Sequence, residues 1–260
     1  MKKSNNNLIP FFILTVSISW LLWIIVMLNN NNLINIGWIN NIVDNLASFI
    51  PSLLGIYFVY KEKGLKQVSA FIKKIFKFRF KIKYYVMCLI IPAVLALSYL
   101  LAKLIFNFNL ENGLIREPQM IPIAFIYILF LGGPLGEEFG WRGYALPKMN
   151  KIFKPLYSSL IIGIIWSLWH LPLFFMQTKV QYGINIPAYT IFTILISIII
   201  TIIFIKTGGS ILSVLLFHTF SNLGWGLFPL FTAPAAGLIA LIILLSVTIF
   251  LTYINRDIMV

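Results

Sequence analysis

The sequence predicts an all-α protein, a polytopic bundle of about eight transmembrane helices with both termini cytoplasmic. Three observations predict it. Of the 260 residues, 60% are hydrophobic and 10% charged, with a mean hydropathy of +0.94, whereas about a quarter of a soluble domain is charged. Apolar runs of roughly 20 residues, enough for an α-helix to cross ~30 Å of hydrocarbon, recur along the chain. The basic residues behind the net charge of +13 lie mostly in the breaks between those runs.

Apolar length and punctuation place the spans at 8–28, 42–60, 84–106, 120–146, 156–176, 187–206, 210–228 and 236–254. They divide the chain into 1–119 with spans one to three, 120–228 with spans four to seven, and 229–260 with span eight. Span one follows Lys2 and Lys3, is longer than a signal-peptide core and lacks a small-residue cleavage site after it, so it reads as retained. The asparagines at 29–32 form a short external loop.

After span two, the loop 61–83 interleaves Phe71, Ile72, Ile75, Phe76, Phe78 and Phe80 with Lys73, Lys74, Lys77, Arg79 and Lys81. It is either an ordinary positive-inside loop or an interfacial segment that docks on anionic membrane lipid. The lone cysteine, Cys88, lies in span three and has no partner for an intrachain disulfide or a cysteine metal cluster. Span four is unusual: Gly132, Gly133, Pro134 and Gly136 precede Glu137, Glu138 and Arg142, so its second half must be lined by protein or water.

With eight spans, Lys2, Lys3, the 61–83 cluster, Lys148, Lys151, Lys154, Lys206 and Arg256 share one side, which is the cytoplasmic one. The other side receives little beyond Arg116 and Lys179. That bias explains the positive charge without a nucleic-acid partner.

Three polar clusters stand inside the spans: Glu137 to Arg142 in span four, Trp166 to His170 in span five, and His218 to Asn222 in span seven. A single buried polar residue often serves only helix packing. Here, however, both histidines of the chain and two of its seven acidic residues fall in these clusters, and intramembrane ionisable groups are ordinarily paired or functional.

Helix geometry assigns roles. Glu138 and Arg142 are one turn apart and can pair, whereas Glu137, ~100° away, faces elsewhere and suits a general base. Trp166 and His170 share a face, and His170 can help hold a water. His218 and Asn222 also share one, so both can aim donors at one point and stabilise an oxyanion. These are the parts for amide hydrolysis by direct water attack. Glu137, His170 and His218 are equally a candidate zinc set, in which metal would activate the water, so metal-free and zinc chemistry both stay open. There is no His-Glu-x-x-His run and no Gly-x-Ser-x-Gly elbow, and Asp44 and Asp257 lie too far apart in the chain to form an aspartate pair.

These residues resemble the type II CAAX prenyl endopeptidase and bacteriocin-processing family of intramembrane proteases, also called the abortive-infection or CPBP family. Its motifs Glu-Glu-x-x-x-Arg, Phe-x-x-x-His and His-x-x-x-Asn/Asp are matched, in order, by Glu137-Glu138-x-x-x-Arg142, Trp166-x-x-x-His170 and His218-x-x-x-Asn222. Trp166 stands where phenylalanine is commoner, an exchange expected to matter little.

The resemblance implies that 120–228 is a catalytic core. In it Glu137 and His170 activate water, His218 and Asn222 stabilise the oxyanion, and Glu138 and Arg142 hold the site together. It implies a peptide or protein substrate, and it leaves open zinc or no cofactor, with the metal-free mechanism favoured because asparagine is a poor ligand. Bacterial relatives point to pheromone or bacteriocin leader processing or self-immunity, in the cell membrane. The alternative is a non-proteolytic immunity or interaction protein on the same fold.

Overall fold

The computed structural model describes residues 7–108, 115 and 117–260; Lys2, Lys3 and Arg116, used above to orient the chain, lie outside the described residues. The described chain is helical, with no strand among the described residues. Among the described residues, six helical stretches are long and apolar enough to cross a bilayer. They are α1 (Leu8–Asn30), α2 (Ile39–Lys63), the composite stretch Pro118–Met149, a stretch Pro155–Phe175 that includes α9 (Pro155–Trp169), α10 (Ile186–Lys206) and α12 (Pro234–Ile254). Two shorter apolar helices, α5 (Ile90–Phe106) and α11 (Ile211–Leu227), take the places of expected spans three and seven.

Prolines and glycines decide where these runs are not continuous helices. Expected span three is split into α4 (Ile82–Met87) and α5, because Pro92 in the first turn of α5 has no N–H for the carbonyl of Cys88 and its ring crowds that carbonyl. Expected span four is split more thoroughly, into α6 (Ile121–Leu131), α7 (Pro134–Glu138), a π-helical turn (Phe139–Ala145) and α8 (Leu146–Met149). Gly133, at φ +110°, makes the first break, and Pro134 then starts α7. Expected span five stops being α-helical at Trp169 and continues as a 3₁₀ turn, Leu171–Phe175, around Pro172.

Loop 61–83 is partly ordered as α3 (Leu65–Ile72) and a 3₁₀ turn, Lys73–Phe76. Its Phe71 is buried against Phe139, with ring centroids 5.5 Å apart.

α10 forms the interior of the bundle, packed on α9, α11 and α12, which is why it reads as a nearly unbroken run of Ile, Phe and Thr. The loop-facing starts of α10 and α11 are capped by Asn185 and Ser210, which accept from the backbone N–H of Ala188 and Ser213. α2 supports the broken span by backbone-to-backbone approach. A Cβ on Gly140 would lie 2.3 Å from the Pro51 carbonyl oxygen, so only glycine allows the two segments this close. Pro51, inside α2, frees the carbonyl of Ala47, and the Ser19 hydroxyl of α1 donates to it at 2.8 Å.

The two ends of the bundle differ. At one, Lys148 pairs with Glu62 at 2.6 Å, Lys77 donates to the Gly208 carbonyl, and Lys206 reaches Asp257. At the other, Lys179 pairs with Asp44, Asn30 donates to Thr178, and Ile115 N–H donates to the Gly226 carbonyl.

Candidate active site

A chamber of about 450 Å³ lies between these ends, and Glu137, Trp166, His170, His218 and Asn222 all line it. Residues from three separate expected spans are therefore neighbours. Glu138 and Arg142 lie behind the chamber wall, both fully buried.

Glu137 is carried on α7, immediately after the break, and is 3% exposed. Its Oε2 accepts from the Trp166 indole N–H at 2.5 Å. Its Oε1 crosses the face of Gly133 so closely that a Cβ there would lie 2.5 Å away. Gly133 thus supplies the positive φ of the break, and an added Cβ would displace the Glu137 carboxylate from where it lies. The same missing Cβ would be 3.9 Å from Asn222 Nδ2, so Glu137 and Asn222 flank one glycine.

Glu138 faces the other way. Its Oε1 accepts from Arg142 Nη1 at 2.9 Å and from His218 Nδ1 at 2.8 Å. The guanidinium of Arg142 also lies over the Trp166 ring, 4.3 Å from its centroid. A buried carboxylate shared by two donors holds α7, the π turn and α11 in one arrangement, since removing one member of such a pair leaves an uncompensated charge.

Trp166 links the remaining members. Besides its bond to Glu137, its carbonyl accepts from His170 Nδ1 at 2.8 Å, and its ring meets the His218 ring edge-on at 5.1 Å. His170 ends α9 as its C-cap and is packed by the rings of Trp169 and Tyr189 at 4.6 and 5.5 Å. With Nδ1–H committed to a carbonyl, the neutral ring keeps a free lone pair on Nε2.

Three of these residues make contacts that their spacing alone does not specify. Trp166, standing where phenylalanine is commoner, makes through its indole N–H a bond to Glu137 that no phenylalanine can make. His218 and Asn222 share a helix face, line the same chamber and each commit one nitrogen to the protein itself. His218 Nδ1 turns to Glu138, and Asn222 Nδ2 donates to the Gly132 carbonyl at 3.1 Å, tying α11 to the break in span four. What each has left for a substrate is His218 Nε2 and the second Asn222 amide hydrogen.

The sequence did not single out Tyr189, Trp169 or the Asp44–Lys179 pair at the chamber's rim. Their contacts cross between distant helices, and only the Gly132-Gly133-Pro134 string was a local signal that the chain breaks here.

A zinc site needs three protein ligands converging at about 2 Å from one point. Among the described residues no group of three His, Cys, Asp or Glu side chains converges so. Glu137, His170 and His218 do not form such a group as arranged.

Comparison with known proteins gives two findings. Residues 119–224 match the family model described as type II CAAX prenyl endopeptidase Rce1-like. A relative, CAAX prenyl protease 2 of Methanococcus maripaludis, is 30% identical over 188 residues, an alignment covering 66% of this chain and 67% of the relative.

Proposed function

Because the chain belongs to the type II CAAX prenyl endopeptidase-like family of multi-pass membrane proteases, we propose that it hydrolyses a peptide bond of a membrane-associated peptide by direct attack of water. The observation that carries this reading is the convergence of Glu137, His170, His218 and Asn222 on one chamber, with Trp166 bonded to both Glu137 and His170.

Each part has a role its remaining atoms can fill. Glu137 takes a proton from a water that His170 Nε2 helps to hold, and the hydroxide so formed adds to the scissile carbonyl carbon. The carbonyl oxygen becomes an oxyanion, received by the free amide hydrogen of Asn222 and by His218 Nε2. The Glu138 carboxylate on Nδ1 fixes the orientation of the His218 ring. As the C–N bond breaks, Glu137 returns the proton to the leaving amine. Charge inside a chamber walled by protein is worth more than in bulk water, so donors fixed in advance are effective.

The substrate follows from the chamber's chemistry. Its inner walls carry Trp166, Trp169, Tyr189, Phe192 and Trp225, which suit an apolar peptide segment. Within that class we assign leader-bearing bacteriocin or pheromone precursors, acted on at the cytoplasmic membrane. The relative's name denotes action on CAAX prenyl proteins, and an apolar chamber is equally compatible with a lipid-modified peptide.

Purified Glu137→Ala and His170→Ala variants that retain the wild-type melting temperature are expected to lose proteolysis by at least about a hundredfold. Full activity in either would reject the reading. Chelators are expected to leave wild-type activity unchanged, and metal analysis to find no stoichiometric zinc. Loss of activity on chelation, restored by zinc, would replace the metal-free mechanism.

A further inference from the structure

A second cavity, of about 190 Å³, lies apart from the chamber and shares no lining residue with it. Its walls come from the end of α2, from α3 and the 3₁₀ turn after it, and from the π turn, α8 and the residues that follow. Two of these walls are ends of membrane-crossing stretches, which stop at Lys63 and Met149. The cavity therefore sits where hydrocarbon gives way to headgroups, a level that the exposed Tyr57 and Tyr60 of α2 also mark.

Its charge is unbalanced. Among the described residues Glu62 is the one carboxylate in the lining, and it is already satisfied: Lys148 pairs with it at 2.6 Å, Tyr144 donates to it at 2.7 Å and Asn7 at 3.0 Å. Lys63, Lys74 and Lys151 also line the cavity, and among the described residues none of them forms an ion pair. Lys74 is partly buried, over the Phe71 ring at 5.5 Å. Burial and the neighbouring cations Lys63 and Lys77 push its ammonium below the usual lysine range. Like charges held around one concavity repel one another, and an anion between them relieves that repulsion.

From this geometry we infer that the cavity binds the phosphate of an anionic phospholipid, held by Lys63, Lys74 and Lys151. The volume is below the ~300–1,000 Å³ of a site for a drug-sized ligand, so it takes a headgroup and leaves the acyl chains outside. There Leu65, Ile72, Phe76 and Phe78 are exposed on the same loop, apolar side chains that acyl chains cover. Lysines interleaved with such residues are the pattern of a segment that lies on anionic lipid. Phe71, in the cavity wall, packs on Phe139, and a Cβ on Gly143 would come within 2.8 Å of its ring. A headgroup bound between α3 and α8 therefore fastens loop 61–83 onto the π turn that carries Arg142.

The test titrates the purified chain, stripped of lipid in a neutral detergent, with phosphatidylglycerol, phosphatidylcholine or inorganic phosphate. Native mass spectrometry counts bound lipid, and the thermal midpoint reads its effect. Wild type is expected to retain phosphatidylglycerol and to melt higher with it, and to respond weakly to phosphatidylcholine and to phosphate at equal concentration. Lys63→Gln combined with Lys74→Gln, and separately Lys151→Glu, are expected to raise the Kd for phosphatidylglycerol by at least about tenfold. Lys151 is exposed, so its variant keeps the test open should the double variant fail to fold. Lys66→Gln combined with Lys73→Gln removes the same charge from exposed positions of the loop outside the cavity lining, and is expected to bind as wild type does. Equal weakening in the two double variants would reduce the site to diffuse surface charge and overturn the inference. Unchanged binding in both cavity variants, equal binding of phosphatidylcholine, or phosphate alone reproducing the effect would overturn it as well. No arm requires proteolysis, so the outcome is independent of the catalytic reading.

Discussion

Trp166 contacts four members of the candidate site, three through its side chain and one through its backbone carbonyl. It donates to Glu137, accepts from His170, stacks on Arg142 and abuts His218. Trp166→Phe keeps the ring and the backbone carbonyl and removes only the indole donor. A hydrogen bond to a charged group contributes about 1.5–3 kcal/mol. If it is made to the reacting form of Glu137, its loss lowers kcat by about tenfold to a hundredfold. We expect KM and the melting temperature of this variant to stay near wild type, measured on the same preparation. An unchanged kcat would show that the indole only fills space. The residue pairs differ in how far the sequence revealed them. Glu138 and Arg142 were legible because residues four apart meet on any helix, and their pairing survives the π turn at 2.9 Å. The Trp166–Glu137 and Asn222–Gly132 bonds join residues 29 and 90 positions apart, and no local spacing encodes such a meeting.

At the scale of elements, the broken fourth span is what puts the Glu137 carboxylate at the chamber. A straight helix through 120–146 would carry the Glu137 side chain on a continuous cylinder; the Gly132–Gly133 break, α7 and the π turn redirect it. π turns widen a helix and recur at functional sites. The sequence showed that this half-span was abnormal, through its glycines and charges, but not that it is π-helical, since that depends on how α2 buttresses it. Ser52 donates to the Leu135 carbonyl at 2.9 Å, and Gly140 sits on Pro51 without room for a methyl group. Gly140→Ala is therefore expected to destabilise the protein by about 1–3 kcal/mol, the usual cost of overpacking. The check is the thermal midpoint in detergent, with Gly237→Ala as control, where an added Cβ meets only ordinary contacts at 3.4 Å and beyond. Equal midpoints for the two variants would mean that α2 yields readily and does not position the span.

At the scale of the whole molecule, hydropathy and the positive-inside bias made the all-α membrane bundle readable from the sequence, because bilayer thickness and loop charge act on composition directly. They did not reveal where the helices interrupt or which residues line the chamber. Those properties come from packing between distant helices, such as α2 on the π turn and α11 on α6, and are not written in any one segment. The central claim is that this membrane protease cleaves peptides with Glu137 as the base. Its most direct test is mass spectrometry of membrane peptides from the native host carrying wild-type protein or Glu137→Gln at equal abundance. The account predicts that uncut precursors accumulate with Glu137→Gln and that their cleaved products disappear. Identical peptide inventories in the two strains would contradict it.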